Sequence, residues 1–408
     1  AIMQLPDNLG RVALRALRDV AEDPSILEQV AHEKSFETSL LRSVSMKTAT
    51  TQFPRIIEGK PPLTPYNFTY ERPAPDSEAP NLILDFDVTP NAIPPTNVQI
   101  LIGANGVGKS RMLRDFIAAA SGSTHAEGIF RDSAVSDQAG PQDAPFANIV
   151  HVAFSAFDRA TPPEPGQNRS FLVHAVGLSE SASKPLDLQF SESLRVCSGG
   201  RRRSRWVEAI QTLSSADGIL AEADLGGLLD TSAGGYNPTF ARNAFEDMSS
   251  GHKIVVLTMT KLVEFVEERS LVLLDEPETH LHPPLLSALT RAVSNLVIDR
   301  NGVAIMATHS PVALQEVPRS CVWMLQRSGG DIRASKLPTE TFGESVSRLT
   351  SEVFRLDVNQ TGFNDVLRIL LKEHSNSAEQ VLEALSDQLG AEGRFVLSSL
   401  ANQIEGHV

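Results

Sequence analysis

Gly103-Ala104-Asn105-Gly106-Val107-Gly108-Lys109-Ser110 is the densest chemistry in the sequence. Glycines at the first, fourth and sixth positions let backbone N–H groups turn inward around anionic oxygens. Lys109 then reaches the β- and γ-phosphates of a nucleotide, and the Ser110 hydroxyl ligates Mg²⁺. Asn105, Gly106, Val107, Gly108 and Arg111 complete the cradle and the first helical turn. Leu271-Val272-Leu273-Leu274-Asp275-Glu276 is an apolar run ending in two carboxylates. Asp275 suits the Mg²⁺ shell, and Glu276, one residue further, suits activation of an attacking water. Val303 to Ala307 is a second such run, and it leads into Thr308-His309. His309 is placed to bond a γ-phosphate, although a lone histidine at a strand end is commonly a packed or surface residue. Met248-Ser249-Ser250-Gly251-His252 opens a helical pattern, so Ser249, Ser250 and Gly251 form either an anion site at a helix N-terminus or an ordinary cap.

These groups need rigid elements at fixed positions. Val98, Ile100, Leu101 and Ile102 before the glycines predict a buried strand, and Met112, Leu113, Phe116 and Ile117 after them predict a helix. Open α/β sheets bind ligands at the carboxyl ends of parallel strands, where such motifs would converge. The expected organisation is a helical prefix at 1–50, a β-layer and phosphate-loop start at 51–120, and an insertion at 121–244 holding a core strand at 149–154. The rest of the core at 245–330 and a helical region at 331–408 follow. Tyr66, Phe68 and Tyr70, with Leu82 to Val88, alternate as strands of the β-layer. Tyr66 or Tyr70 would either stack on adenine or, as aromatics more often do, fill the core. Residues 161–244 read as loops and short helices. Within them Arg201, Arg202, Arg203 and Arg205 beside Trp206 would either hold a nucleic-acid backbone or mark a solvated helix start.

The chain has 408 residues, 41% of them hydrophobic, and a net charge of -14. This permits a large core and argues against broad nonspecific binding to nucleic acid or anionic membrane. Cys197 and Cys321 stand far apart without CxxC or Cys/His spacing, so neither a disulfide framework nor a zinc site is expected, and a cytoplasmic setting is. No apolar run approaches the ~18 residues of a membrane span. Ala1 and Ile2 ahead of Met3 read as residues left by cloning.

The order Gly103–Ser110, Ser249-Ser250-Gly251, Leu271–Glu276, His309 resembles the ATP-binding cassette ATPases. The resemblance implies an α/β P-loop core, a parallel-rich sheet flanked by helices. It also implies a head-to-tail dimer with ATP and Mg²⁺ between copies, Ser249, Ser250 and Gly251 of one copy facing Lys109 of the other. Glu276-Pro277-Glu278-Thr279-His280-Leu281-His282-Pro283 with Thr308-His309-Ser310-Pro311 looks like the branch of RecF-, SMC- and OLD-type ATPases rather than transporter subunits. Length and Thr341-Phe342-Gly343-Glu344-Ser345 look similar to the ATPase subunit of Septu-type or retron-linked anti-phage systems. Such a resemblance implies a toxin–antitoxin-like effector system in which ATP state regulates a separate HNH nuclease. Phe154-Ser155-Ala156-Phe157 stands where the family has a glutamine, and His252 where it has glutamine or arginine, which implies slow hydrolysis. Sustained heptads are lacking in 111–248, so no coiled-coil arms are expected, and nuclease activity is expected from a partner. The rival expectations are a RecF-type clamp on DNA and a nucleotide-sensing scaffold with little turnover.

Overall fold

The computed structural model describes residues 9–23, 25–30, 33, 35–36, 53, 57, 64–74, 80–132, 146–154, 172–177, 184–229, 236–328, 331–354, 362–386 and 388–405. The chain divides into two compact units, Ala1–Glu344 and Ser345–Val408.

The first unit is built on a seven-stranded sheet of order β10-β9-β3-β8-β7-β5-β6. Its strands are β3 (Val98–Ile102), β5 (Asn148–Ala153), β6 (Leu172–Gly177), β7 (Ser270–Asp275), β8 (Val303–Thr308), β9 (Val322–Ser328) and β10 (Asp331–Ser335). All neighbours run parallel except β9 and β10. Every residue of β3, β5, β7 and β8 is buried. Unbroken apolar runs are what parallel strands need when helices cover both faces. The helix Lys109–Ala120 turns Met112, Leu113, Phe116 and Ile117 inward, and Ser250–Phe265 and Pro283–Asp299 bury most of their length. This is the α/β P-loop arrangement the motifs require.

A second, antiparallel sheet of order β2-β1-β4 comprises β1 (Tyr66–Arg72), β2 (Leu82–Val88) and β4 (Ile129–Asp132). Tyr66 pairs with Val88 and Arg72 with Leu82, so the alternating apolar residues share one face. On that face Phe68 stacks on Phe86 at 5.0 Å and Tyr70 meets Phe116 of the phosphate-loop helix edge-on at 4.6 Å. The Tyr70 hydroxyl bonds Asp115, whose other oxygen accepts the Glu127 N–H at 2.6 Å. Tyr66 and Tyr70 are therefore core residues, and neither is available to stack on adenine.

The structure corrects two further expectations. Residues 331–408 are not helical throughout, since β10 lies at 331–335 and pairs with β9 as a hairpin. β6 stands in the stretch expected to hold only loops and helices, as an edge strand against β5. In the helical prefix, Leu14 and Ala21 join Ile57 in a small cluster, whereas Val12 and Leu17 are exposed.

The second unit contains the helices Val346–Val353, Phe363–Glu373, Ala378–Ala384 and Ala391–Glu405. Leu367, Leu371, Val381, Leu397 and Ala401 form its core. Phe363, Val366 and Ile369 lie outside that core and are about half exposed.

Candidate active site

Strand order decides the site: β8 lies between β3 and β7, so the phosphate loop, the two carboxylates and His309 leave neighbouring carboxyl ends. Gly106 and Gly108 have φ of 78° and 107°, a region that L side chains rarely adopt. At Gly103 a Cβ would stand 2.5 Å from the Leu325 carbonyl oxygen, so only glycine lets β9 approach β3 there. Lys109, whose side chain is 2% exposed, donates from Nζ to the carbonyls of Gly103 at 2.9 Å and Ala104 at 3.3 Å. The same ammonium stands 3.7 Å from Glu276 Oε1. Ser110 Oγ donates to Asp275 Oδ1 at 3.0 Å, which brings together the hydroxyl and carboxylate assigned to Mg²⁺. Oxygen donors of this kind suit a hard cation. Glu276 adopts φ 49°, ψ 56°, left-handed for a residue with a Cβ, and its N–H donates to the Ala307 carbonyl at 2.9 Å. Strain of this kind concentrates at functional sites.

His309 is oriented by Glu278, a residue given no role in the sequence reading. Its Nδ1 lies 2.9 Å from Glu278 Oε1, and its backbone N–H donates to the same oxygen at 2.6 Å. The imidazole is 40% exposed, so it remains accessible beside the loop. Arg111 points its guanidinium to Glu127 and lines a cleft of about 530 Å³ beside Gly106 and Gly108. Arg72, Arg327, Leu82 and Ile332 also line it, apolar and cationic walls of a size for the nucleoside part of a nucleotide. Sequence reasoning missed these residues because β1, β2, β9 and β10 bring them together across the chain.

The serine-glycine segment is a helix start, as its pattern predicts. Ser249 is the N-cap of Ser250–Phe265, and its Oγ accepts the His252 N–H at 3.4 Å. A Cβ on Gly251 would stand 2.8 Å from the His280 carbonyl oxygen, so the helix start rests against the turn Pro277–His280 that follows Glu276. His252 turns inward: its Nε2 lies 3.0 Å from Asp217 Oδ2, as does His282 Nε2. Burial would raise the Asp217 carboxyl, but hydrogen bonds from His252, the Leu220 amide and His282 hold it down to about 2.

The arginine stretch is folded against acids. Arg202 pairs with Glu267 at 2.5 Å and Arg205 with Asp299 at 2.7 Å. Trp206 is buried and donates from Nε1 to Thr260 Oγ1 at 2.9 Å, so it offers no stacking surface. Arg203 is partly buried and Arg201 exposed. Phe154, which follows β5, is buried, and Ser155, Ala156 and Phe157 lie outside the described residues. Both cysteines are free and buried. Among the described residues no helix is long and apolar enough to cross a membrane.

Residues 160–315 match the family described as "AAA domain, putative AbiEii toxin, Type IV TA system". Across its whole length the chain is 36% identical to protein ea59 of Escherichia phage lambda, covering 82% of that protein. Among solved structures it is similar to the ADP conformation of MJ1267, an ATP-binding cassette of an ABC transporter, with a TM-score of 0.37 and 13% identity over 72% of this chain and 97% of that one. It is also similar to UvrA2 from Deinococcus radiodurans, with a TM-score of 0.32 and 15% identity over 67% of this chain and 38% of that one.

Proposed function

The chain belongs to the family of protein ea59 of Escherichia phage lambda, and from that premise we propose that it binds ATP with Mg²⁺ and hydrolyses it to ADP and phosphate. The observation that carries this reading is the meeting of Lys109, Ser110, Asp275 and Glu276 at adjacent strand ends. The loop N–H groups and Lys109 take the phosphate charge, and Ser110 and Asp275 would hold Mg²⁺, which would supply neutralisation of the phosphate charge. Glu276 accepts the proton of the attacking water, and His309, steadied by Glu278, bonds the γ-phosphate. Ser249, Ser250 and Gly251 act on the nucleotide of a second copy, so that ATP closes a head-to-tail dimer.

The dimer's state regulates a separate effector, an HNH-type nuclease in anti-phage defence. The matched family's description, which names a toxin–antitoxin system, supports an effector role of this kind. A second reading, a nucleotide sensor with little turnover, is favoured by Phe154-Ser155-Ala156-Phe157, which stands where the resembled family has a glutamine. The DNA-clamp reading loses support because Arg202 and Arg205 are engaged by Glu267 and Asp299.

Phosphate release and mass in solution, measured with and without ATP·Mg²⁺ on the native chain and on Glu276→Gln, test the proposal. Turnover with an ATP-trapped dimer in Glu276→Gln supports an ATPase, and tight binding with almost no turnover supports the sensor. A chain that binds no nucleotide overturns both.

A further inference from the structure

Asp217 lies between the helices Gly200–Ser214 and Gly218–Glu222, and it caps the second of them. Its Oδ1 accepts the N–H groups of Ile219 at 2.9 Å and Leu220 at 3.1 Å. That leaves Oδ2, and two histidines from other elements approach it. His252 belongs to the first turn of Ser250–Phe265, and His282 is the N-cap residue of Pro283–Asp299. Each places Nε2 3.0 Å from Asp217 Oδ2, and the three atoms all lie within 4.8 Å of one another. The Asp217 and His252 side chains are 8% and 7% exposed, whereas that of His282 is 50% exposed.

A helix cap accounts for Oδ1 and needs nothing more. It does not account for two imidazoles converging nitrogen-first on the remaining oxygen of a buried carboxylate. Two imidazole nitrogens and one carboxylate oxygen are the donor set of borderline divalent transition ions, whereas Ca²⁺ and Mg²⁺ take oxygen. Tetrahedral bonds of about 2.0 Å set ligand atoms roughly 3.3 Å apart, close to both His–Asp separations. Ser249 Oγ lies 3.0 Å from His252 Nδ1, where the hydroxyl can bond either tautomer of the ring. With Nε2 given to an ion, the ring proton moves to Nδ1 and is donated to Ser249, the hydrogen-bonded support that ligating histidines typically have.

We propose that Asp217, His252 and His282 form a binding site for a divalent ion of the Zn²⁺ class, with Asp217 Oδ2 and the two Nε2 atoms as ligands and the remaining position open on the solvent side of His282. The bound ion ties the start of the helix Ser250–Phe265 and the segment after the Pro277–His280 turn to the Asp217 cap. The assignment stands apart from the nucleotide reading, because none of its three ligands is assigned to ATP or Mg²⁺.

The test uses the untagged full chain, stripped with a chelator, then titrated with Zn²⁺ by calorimetry and with Co²⁺ by visible absorption. Expected is one ion per chain, with the intense bands of low-coordinate Co²⁺. His282→Ala removes an exposed ligand, and its fold is checked by circular dichroism and metal-free melting. It weakens Zn²⁺ binding at least about tenfold, and His282→Gln does the same. His280→Ala, which changes an exposed neighbouring histidine outside the cluster, leaves binding intact. No stoichiometric binding by the native chain, or equal affinity in His282→Ala, overturns the site.

Discussion

At the scale of single residues, Glu276 and Lys109 carry different parts of the chemistry. Glu276→Gln keeps shape and hydrogen bonding but cannot accept a proton, so phosphate release is expected to fall by about 10²–10⁴-fold while nucleotide binding, followed by a fluorescent analogue, persists. The cysteines give a test of packing. Burial pushes the Cys197 thiol up to about 12 and Cys321 up to about 11. Thiolate, the reactive form, is therefore scarce at pH 8, and both residues should resist iodoacetamide in the native chain and react once it is denatured. Labelling of native protein within minutes would contradict the buried placement. Residues in contiguous motifs were legible in the sequence because glycine conformation, strand and helix succeed one another locally. Glu278 needed the fold, since it meets His309 only after the chain has crossed a helix and a strand. Asp217, separated from His252 and His282 by 35 and 65 positions, carried no local signal at all.

At the scale of elements, the fully buried strands β3, β5, β7 and β8 could be read from unbroken apolar runs. The edge strands β6 and β10 of that sheet could not. β6 carries His174 in its middle and β10 alternates charge with short apolar residues, so neither shows the run that marks a strand buried on both faces. The arginines of the helix Gly200–Ser214 leave two readings open in the sequence, a nucleic-acid surface or a solvated helix start, and Arg202 and Arg205 join the helix to acids elsewhere in the unit. Element packing also makes Gly103 a sensitive position. Gly103→Ala sets a methyl against the Leu325 carbonyl, a backbone atom that cannot step aside. The expected cost is about 1–3 kcal/mol, read as a lower denaturant midpoint, and an unchanged midpoint would mean that β9 can move from β3.

At the scale of the whole molecule, every residue assigned to nucleotide or to the histidine-aspartate cluster belongs to Ala1–Glu344, whose aromatic and aliphatic core is its own. A chain ending at Glu344 is therefore expected to bind nucleotide with affinity within a few-fold of the full chain, measured by the same fluorescent analogue. Loss of binding would show that residues 345–408 support the site. In that second unit Phe363, Val366 and Ile369 are exposed: helical spacing marks a face, but not what covers it.

The contact of Lys109 with Glu276 has a consequence for timing. The buried ammonium of Lys109 donates to two loop carbonyls and stands 3.7 Å from the carboxylate of Glu276, the residue proposed to activate water. On the proposed reading, a γ-phosphate would compete for that ammonium and draw it away from Glu276. Substrate arrival and the freeing of the base would then be one event, a safety catch that keeps the carboxylate parked until there is something for it to act on.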